Sequence, residues 1–242
     1  MNSSWKVNIM RLSHGIVCDS KTISEKLKGA FGKSRSKRGK MLDEALEILN
    51  EIKNSISYNG GMCVNLLNEL NSKEIIYDTL INLIDNYSTL STQKFIKGFS
   101  SVRSAKNTYV NTYTYLYRTA SVARLALNFQ HLGVSKGSTA VKYIISKMEH
   151  NYGNLFAKLI TYAKGLSSSY KPDALKILAY HFYALSECAR EISGWDNLAS
   201  AQLISVYANE ADAFDKNLPK NILKDFLNIY VKMFGKKPYY YQ

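Results

Sequence analysis

No aspartate or glutamate occurs between Asp85 and Glu149, although that stretch holds nine basic residues. These are Lys94, Lys97, Arg103, Lys106, Arg118, Arg124, Lys136, Lys142 and Lys147. Proline is scarce, with only Pro172, Pro219 and Pro238 in 242 residues, so long helices meet few breakers. Cysteine is limited to Cys18, Cys63 and Cys188, odd in number and without a CxxC pair. That argues for free thiols in a reducing compartment. The four histidines, His14, His131, His150 and His181, show no zinc-ligand spacing, and neither a metal site nor a cofactor is expected. No apolar run approaches the ~20 residues of a membrane-spanning helix. The opening MNSSWKVNIMRLSHG lacks the apolar core and small-residue cleavage site of a secretory signal. A soluble intracellular protein is expected.

What is abundant is positive charge. Lys and Arg number 32 against 19 Asp and Glu, a formal net charge of +13. Such an excess favours partners rich in phosphate or other anions. It is concentrated in residues 1–40, with ten basic residues and two acids, and in residues 86–148; the remainder is net acidic. Hydrophobic residues make up 46% of the chain, enough for a real core, so the sequence is not a disordered tail.

Apolar residues recur mostly at spacings of three and four, the helical period, and predict an all-α fold. The exception is residues 5–12, where Trp5, Val7 and Ile9 alternate with polar residues and predict a short extended arm. Residues 33–40, KSRSKRGK, read as a basic loop containing Lys33, Arg35, Lys37 and Arg38. A helix follows with Leu42, Ala45, Leu46, Leu49 and Ile52 as its stripe. Asn71, with Glu74 three residues on, predicts a capping box for a helix burying Ile75, Ile76, Leu80, Leu83, Ile84 and Tyr87. A separate helix is expected near 91–99, then a long one over 108–130. On the long helix Leu116, Ala120, Ala123 and Leu127 share one side, and Tyr113, Tyr117, Ser121 and Arg124 share another. An earlier start would add Arg103, Lys106 and Val110 to that second side. Further helices are expected over 139–164, from Pro172 to a stop near Gly194, after an Asp196 cap, and from Asn217–Pro219 to Gly235.

Catalysis finds little support. GVSKGST lacks the order of a phosphate loop, and Ser168-x-x-Lys171 stands without companion motifs. His181 and Cys188 share a helix, an arrangement more often structural than catalytic. Acids such as Asp43 and Glu44 lie on an ordinary helix face. The stronger signal is VRSAKNTYVNTYTYLYRTASVAR, residues 102–124, which interleaves tyrosines with basic residues. Lys and Arg neutralise phosphates and release counterions, and tyrosine faces stack on unpaired bases. Because a duplex hides those faces, the mixture points to single strands. The candidate RNA-binding set is Lys33, Arg35, Lys37, Arg38, Lys94, Lys97, Arg103, Lys106, Tyr113, Tyr117, Arg118 and Arg124. Against it stands the ordinary role of tyrosines at helical spacing, which is core packing. The amphipathic N-terminal arm and the aromatic tail KKPYYYQ have little to pack on within their own lobe, so Trp5, Val7, Ile9, Phe234, Tyr239 and Tyr240 are candidates for contacts between subunits.

TYLYRTASVARLAL, residues 114–127, resembles the central motif of nucleoproteins of segmented negative-strand RNA viruses of the bunyavirus order, as found in orthobunyavirus and tospovirus relatives. FLNIYVKMFGKK, residues 226–237, resembles the final helix of the same proteins, where an aromatic-Gly pair precedes a basic tail. The two stretches cover roughly a tenth of the chain. The resemblance implies a two-lobed helical protein with single-stranded RNA in a positive groove between lobes, and Arg118 and Arg124 contacting phosphate. It also implies terminal arms that clasp adjacent subunits into a homo-oligomer, a viral polymerase partner, and a place in the virion and the infected cell's cytoplasm. The corresponding division is an arm over 1–18, lobes over 19–131 and 132–235, and a tail over 236–242. An RNA-encapsidating protein without catalytic activity or membrane insertion is expected. The rivals are a helical adaptor for an acidic partner or membrane surface, and a metal-dependent nucleic-acid enzyme for which only scattered carboxylates speak.

Overall fold

The structure, a computed structural model, describes residue 25 and residues 38–58, 64–72, 74–166 and 172–241. The expected arm over 5–12, with Trp5, Val7 and Ile9, lies outside them, as do Lys33, Arg35 and Lys37. Among the described residues every regular element is helical and no strand occurs. The helices are α1 (Arg38–Tyr58), α2 (Val64–Ser72), α3 (Ile75–Gly98), α4 (Val102–His131), α5 (Gly137–Lys164), α6 (Pro172–Ile192), α7 (Leu198–Asn217) and α8 (Lys220–Phe234). A 3₁₀ turn, Tyr239–Tyr241, closes the series. None of these helices is long and apolar enough to cross a membrane.

The periodic stripes are buried where expected. Leu42, Ala45, Leu46, Leu49 and Ile52 of α1, and Ile75, Ile76, Leu80, Leu83, Ile84 and Tyr87 of α3, are all buried. On α7, Leu203 and Tyr207 are buried, whereas Leu198, its first residue, is 57% exposed. Punctuation follows local chemistry. Pro172 opens α6, where its missing N–H is no loss. Gly235 closes α8 with φ 69°, the left-handed conformation glycine adopts without strain.

Several boundaries differ from the sequence reading. Residues 38–40 are helical, so the basic segment enters α1 rather than ending before it. Residues 87–98 continue α3 without a break, because Ser88, Ser91 and Thr92 prolong its period instead of interrupting it. Helix α4 begins at Val102, where the Ser101 hydroxyl accepts from Ser104 N–H at 3.1 Å and caps it. The Asn71–Glu74 capping box does not form. Asn71 Oδ1 instead accepts from Ser135 N–H at 2.7 Å, and Glu74, with φ 54°, pairs with Lys136 at 2.7 Å. The cap of α7 is Asn197, whose side chain accepts from Ser200 N–H, and not Asp196.

The chain forms two compact units, each made of two stretches rather than divided once near 131. The first holds the described residues of Met1–Asn86 with Val122–Ile144. In it α1 packs on α2, and Asn71, Glu74, Ser135 and Lys136 join the α2–α3 and α4–α5 turns. The second holds Tyr87–Ser121 with Ile145–Gln242. There α6 packs on α7, α8 and the terminal turn. Phe182 is the hub, with ring centroids at 5.0 Å from Phe214, 5.4 Å from Phe226 and 5.9 Å from Phe156. Tilted and edge-on aromatic pairs of this kind contribute roughly 0.5–1.5 kcal/mol each beyond area burial.

The tail corrects a further expectation: it packs on its own unit. Tyr239 N–H donates to Ser186 Oγ at 2.7 Å, and Arg190 donates to the Lys237 carbonyl at 3.1 Å. Lys236 pairs with Glu187, and the Tyr241 hydroxyl donates to Asp215. Phe234 stacks on Tyr183 at 4.0 Å. Burial, followed by the charge of Asp212, pushes the Asp215 carboxyl up to about 6.

Candidate nucleic-acid interface

The α3–α4 corner of the second unit gathers cationic side chains. Residues Phe99–Ser101 turn the chain between the two helices. Ser100 Oγ and Ser104 Oγ both donate to the Lys97 carbonyl, at 3.0 and 2.8 Å. These bonds satisfy an acceptor at the α3 terminus and hold the last turn of α3 against the first turn of α4. Lys94 and Lys97 come from α3, Arg103 and Lys106 from α4. Lys97, Arg103 and Lys106 are exposed, and Lys94 is half-buried. Lys97 also lies at the negative end of the α3 dipole, which favours a cation there.

Because α4 starts at Val102, one of its sides runs Arg103, Lys106, Val110, Tyr113, Tyr117. The opposite side, with Ala105, Thr108, Thr112, Leu116 and Thr119, is buried. Val110 is 53% exposed. The character of the stripe changes along it. Tyr113 and Tyr117 are half-buried and stack on each other at 6.2 Å, and Tyr117 meets Trp195 edge-on at 5.4 Å. The Tyr113 hydroxyl is pushed up to about 12, first by burial and then by the charge of Glu191. The stripe is therefore cationic at the corner, and packed and acid-flanked toward α6. Part of each tyrosine face is already used within the protein.

The remaining candidates are dispersed. Arg118 is half-buried in the second unit, whereas Arg124 is exposed and belongs to the first. Arg38 opens α1. Phe234 and Tyr239 lie in the aromatic packing of the second unit, and Tyr240 packs edge-on against Tyr241 at 5.1 Å. Among the described residues no three histidines, cysteines or carboxylates lie close enough to hold a metal ion. Cys188 is fully buried, and burial pushes its thiol up to about 12, so it is not an activated nucleophile. His181, also buried, serves packing: its ring lies between the Ile177 and Phe95 carbonyls, at 2.7 and 2.8 Å, stacked on Phe99.

The sequence reading missed a polar cavity of about 260 Å³ in the second unit. Ser88, Thr89, Thr92 and Gln93 line it from α3, and Lys147, His150, Asn151 and Asn154 from α5. The signal was present as K-x-x-H-N-x-x-N, a polar stripe at helical spacing. No family model, curated protein or solved structure matches the chain.

Proposed function

We propose that the protein is a nucleoprotein that binds single-stranded RNA without sequence preference and oligomerises along it. The observation that carries this reading is the α3–α4 corner, where Lys97, Arg103 and Lys106 are all exposed within a stretch free of acids. Phosphates meeting these side chains release condensed counterions, and that release is indifferent to base sequence. Tyr113 and Tyr117 follow on the same side of α4 and offer ring edges and partial faces to unpaired bases. The TYLYRTASVARLAL resemblance supplies the viral assignment, the polymerase partner and the place in the virion. Because the tail is engaged within its own unit, contacts between subunits fall to the N-terminal residues Trp5, Val7 and Ile9.

The test is purification without nuclease. The protein should elute with an absorbance ratio at 260 and 280 nm above that of free protein, as particles that shrink on nuclease digestion. Freed protein should bind single-stranded RNA of unrelated sequences equally, more weakly as salt rises. Protein that elutes free of nucleic acid and ignores RNA at moderate salt, but holds an acidic protein or anionic vesicles, would establish the adaptor reading instead.

A further inference from the structure

The cavity between α3 and α5 has a floor and a rim of different character. The floor is already ordered. Thr92 Oγ1 donates to Asn151 Oδ1 at 2.9 Å, Asn151 Nδ2 donates to Ser91 Oγ at 3.0 Å, and Ser91 Oγ donates to the Ser88 carbonyl at 2.8 Å. Asn151 is buried, so its amide is fixed by these bonds and not by water. Ser88 is only 4% exposed and lines the cavity, and its hydroxyl has no hydrogen-bond partner. A buried hydroxyl left unsatisfied is unfavourable, but this oxygen is closed off from the cavity, so recognition of a ligand falls to the rim.

The rim is rich in donors. Lys147 brings an ammonium and Gln93 an amide. Asn154 Nδ2 donates to His150 Nε2 at 2.9 Å, which leaves the His150 proton on Nδ1 as a further donor. No carboxylate lines the cavity. Glu149 is two residues from Lys147 on α5 and so faces elsewhere. A donor-rich, acid-free lining disfavours cations, and a polar one disfavours apolar molecules. The volume lies just under the roughly 300–1,000 Å³ of drug-sized ligand sites, which suits a phosphoryl group with a sugar.

We propose that this cavity binds a phosphate ester. Lys147 and the His150 Nδ1–H take the phosphoryl oxygens. The site is separate from the α3–α4 corner and does not depend on the RNA-binding reading. A free nucleotide and the backbone of a bound strand share this chemistry, and the experiment distinguishes them.

Full-length protein, freed of nucleic acid, is titrated calorimetrically with uridine monophosphate, uridine and inorganic phosphate. The monophosphate and inorganic phosphate should bind, and uridine should bind about tenfold more weakly than its monophosphate. Lys147→Gln and His150→Ala, both outside the buried core, should each weaken the monophosphate about tenfold with helicity and Tm unchanged. Arg103→Ala with Lys106→Ala should leave the monophosphate affinity intact. A Lys147→Gln protein that also loses RNA affinity would assign the cavity to a strand's phosphate; one that loses only the monophosphate would assign it to a free ester. Equal affinity for uridine and its monophosphate, or indifference to Lys147→Gln, overturns the inference even if RNA still binds at the corner. Phosphate binding that depends on Lys147 in a protein that ignores RNA would uphold the inference and reject the RNA reading.

Discussion

A methyl group placed on Gly98 would lie 2.7 Å from His181 Nε2, and 2.9 Å from the Thr108 hydroxyl. Neither neighbour yields easily. The imidazole is held between the Ile177 and Phe95 carbonyls and stacked on Phe99 at 3.8 Å. The Thr108 hydroxyl donates to the Ser104 carbonyl at 2.8 Å. Gly98→Ala would relieve glycine's conformational freedom in a helix, but the overpacking, about 1–3 kcal/mol, wins. Chemical denaturation should show a lowered midpoint with an unchanged denaturant slope. An equal or higher midpoint would mean that the ring moves aside.

The same histidine sets a pH dependence. A neutral imidazole has one N–H and donates to only one of the two carbonyls; an imidazolium donates to both. Burial nevertheless dominates and lowers the His181 pKa below its ordinary value, against the raising effect of the carbonyls. The unfolded chain therefore binds more protons than the folded one as pH falls below about 6.5, and stability falls with it. The raised Asp215 carboxyl works the opposite way over the same range, so the loss is read by comparing urea unfolding at about pH 7.5 and about pH 5.5 in the protein and in a His181 variant. His181→Gln should remove part of it, and Asp215, unchanged in both proteins, cancels from the comparison. An identical pH response in the two proteins would show that His181 binds protons alike in the folded and unfolded chains, its second carbonyl giving back as much as burial takes.

The sequence disclosed what each helix does with its own face. The period of Ile76, Leu80, Leu83 and Tyr87 predicted burial, and Pro172 and Gly235 marked termini, because these depend on backbone geometry within a few residues. It did not disclose partners distant in the chain. Asn71 is a sound cap by composition, yet its amide is taken by Ser135, which is close only in the folded state. The tail reads as unattached because Ser186 and Asp215, its anchors, show no sign of that role in their own helices. At the candidate interface, charge was legible and exposure was not. Lys97, Arg103 and Lys106 proved exposed at one corner, whereas Tyr113 and Tyr117 are partly consumed by each other and by Trp195.

The docked tail yields its own prediction. Pro238 is buried, Tyr239 is bonded to Ser186, and Tyr241 packs 6.3 Å from Phe182. A chain ending at Gly235 uncovers this part of the second unit. Loss of roughly one large buried side chain's worth of burial is about 2 kcal/mol, or a fall in Tm of about 4–8 °C for a domain of this size. The fall should be the same in dilute and concentrated protein. A change that depends on concentration, with the dilute protein unaffected, would make the tail a link between subunits.

The last prediction concerns the α3–α4 corner and separates phosphate contact from fold support. Lys97, Arg103 and Lys106 are exposed, so replacing them removes charge without opening a cavity, and exposed substitutions usually change stability by less than about 0.5 kcal/mol. For a single strand, each phosphate neutralised contributes about −0.7 to the slope of log affinity against log salt. Replacing all three with Gln should therefore flatten that slope by roughly 2 if each meets a phosphate. The loss of affinity should be largest at low salt and the same for unrelated sequences, because counterion release carries no base information. Arg124→Gln, in the other unit, should flatten the slope by a further unit or less if the strand reaches it, and not at all otherwise. Fluorescence anisotropy with a labelled homopolymer and a mixed-sequence strand, measured over a series of salt concentrations, reads both quantities at once. A triple variant whose slope matches that of the unaltered protein would place the RNA elsewhere on the molecule and remove the corner from the proposal.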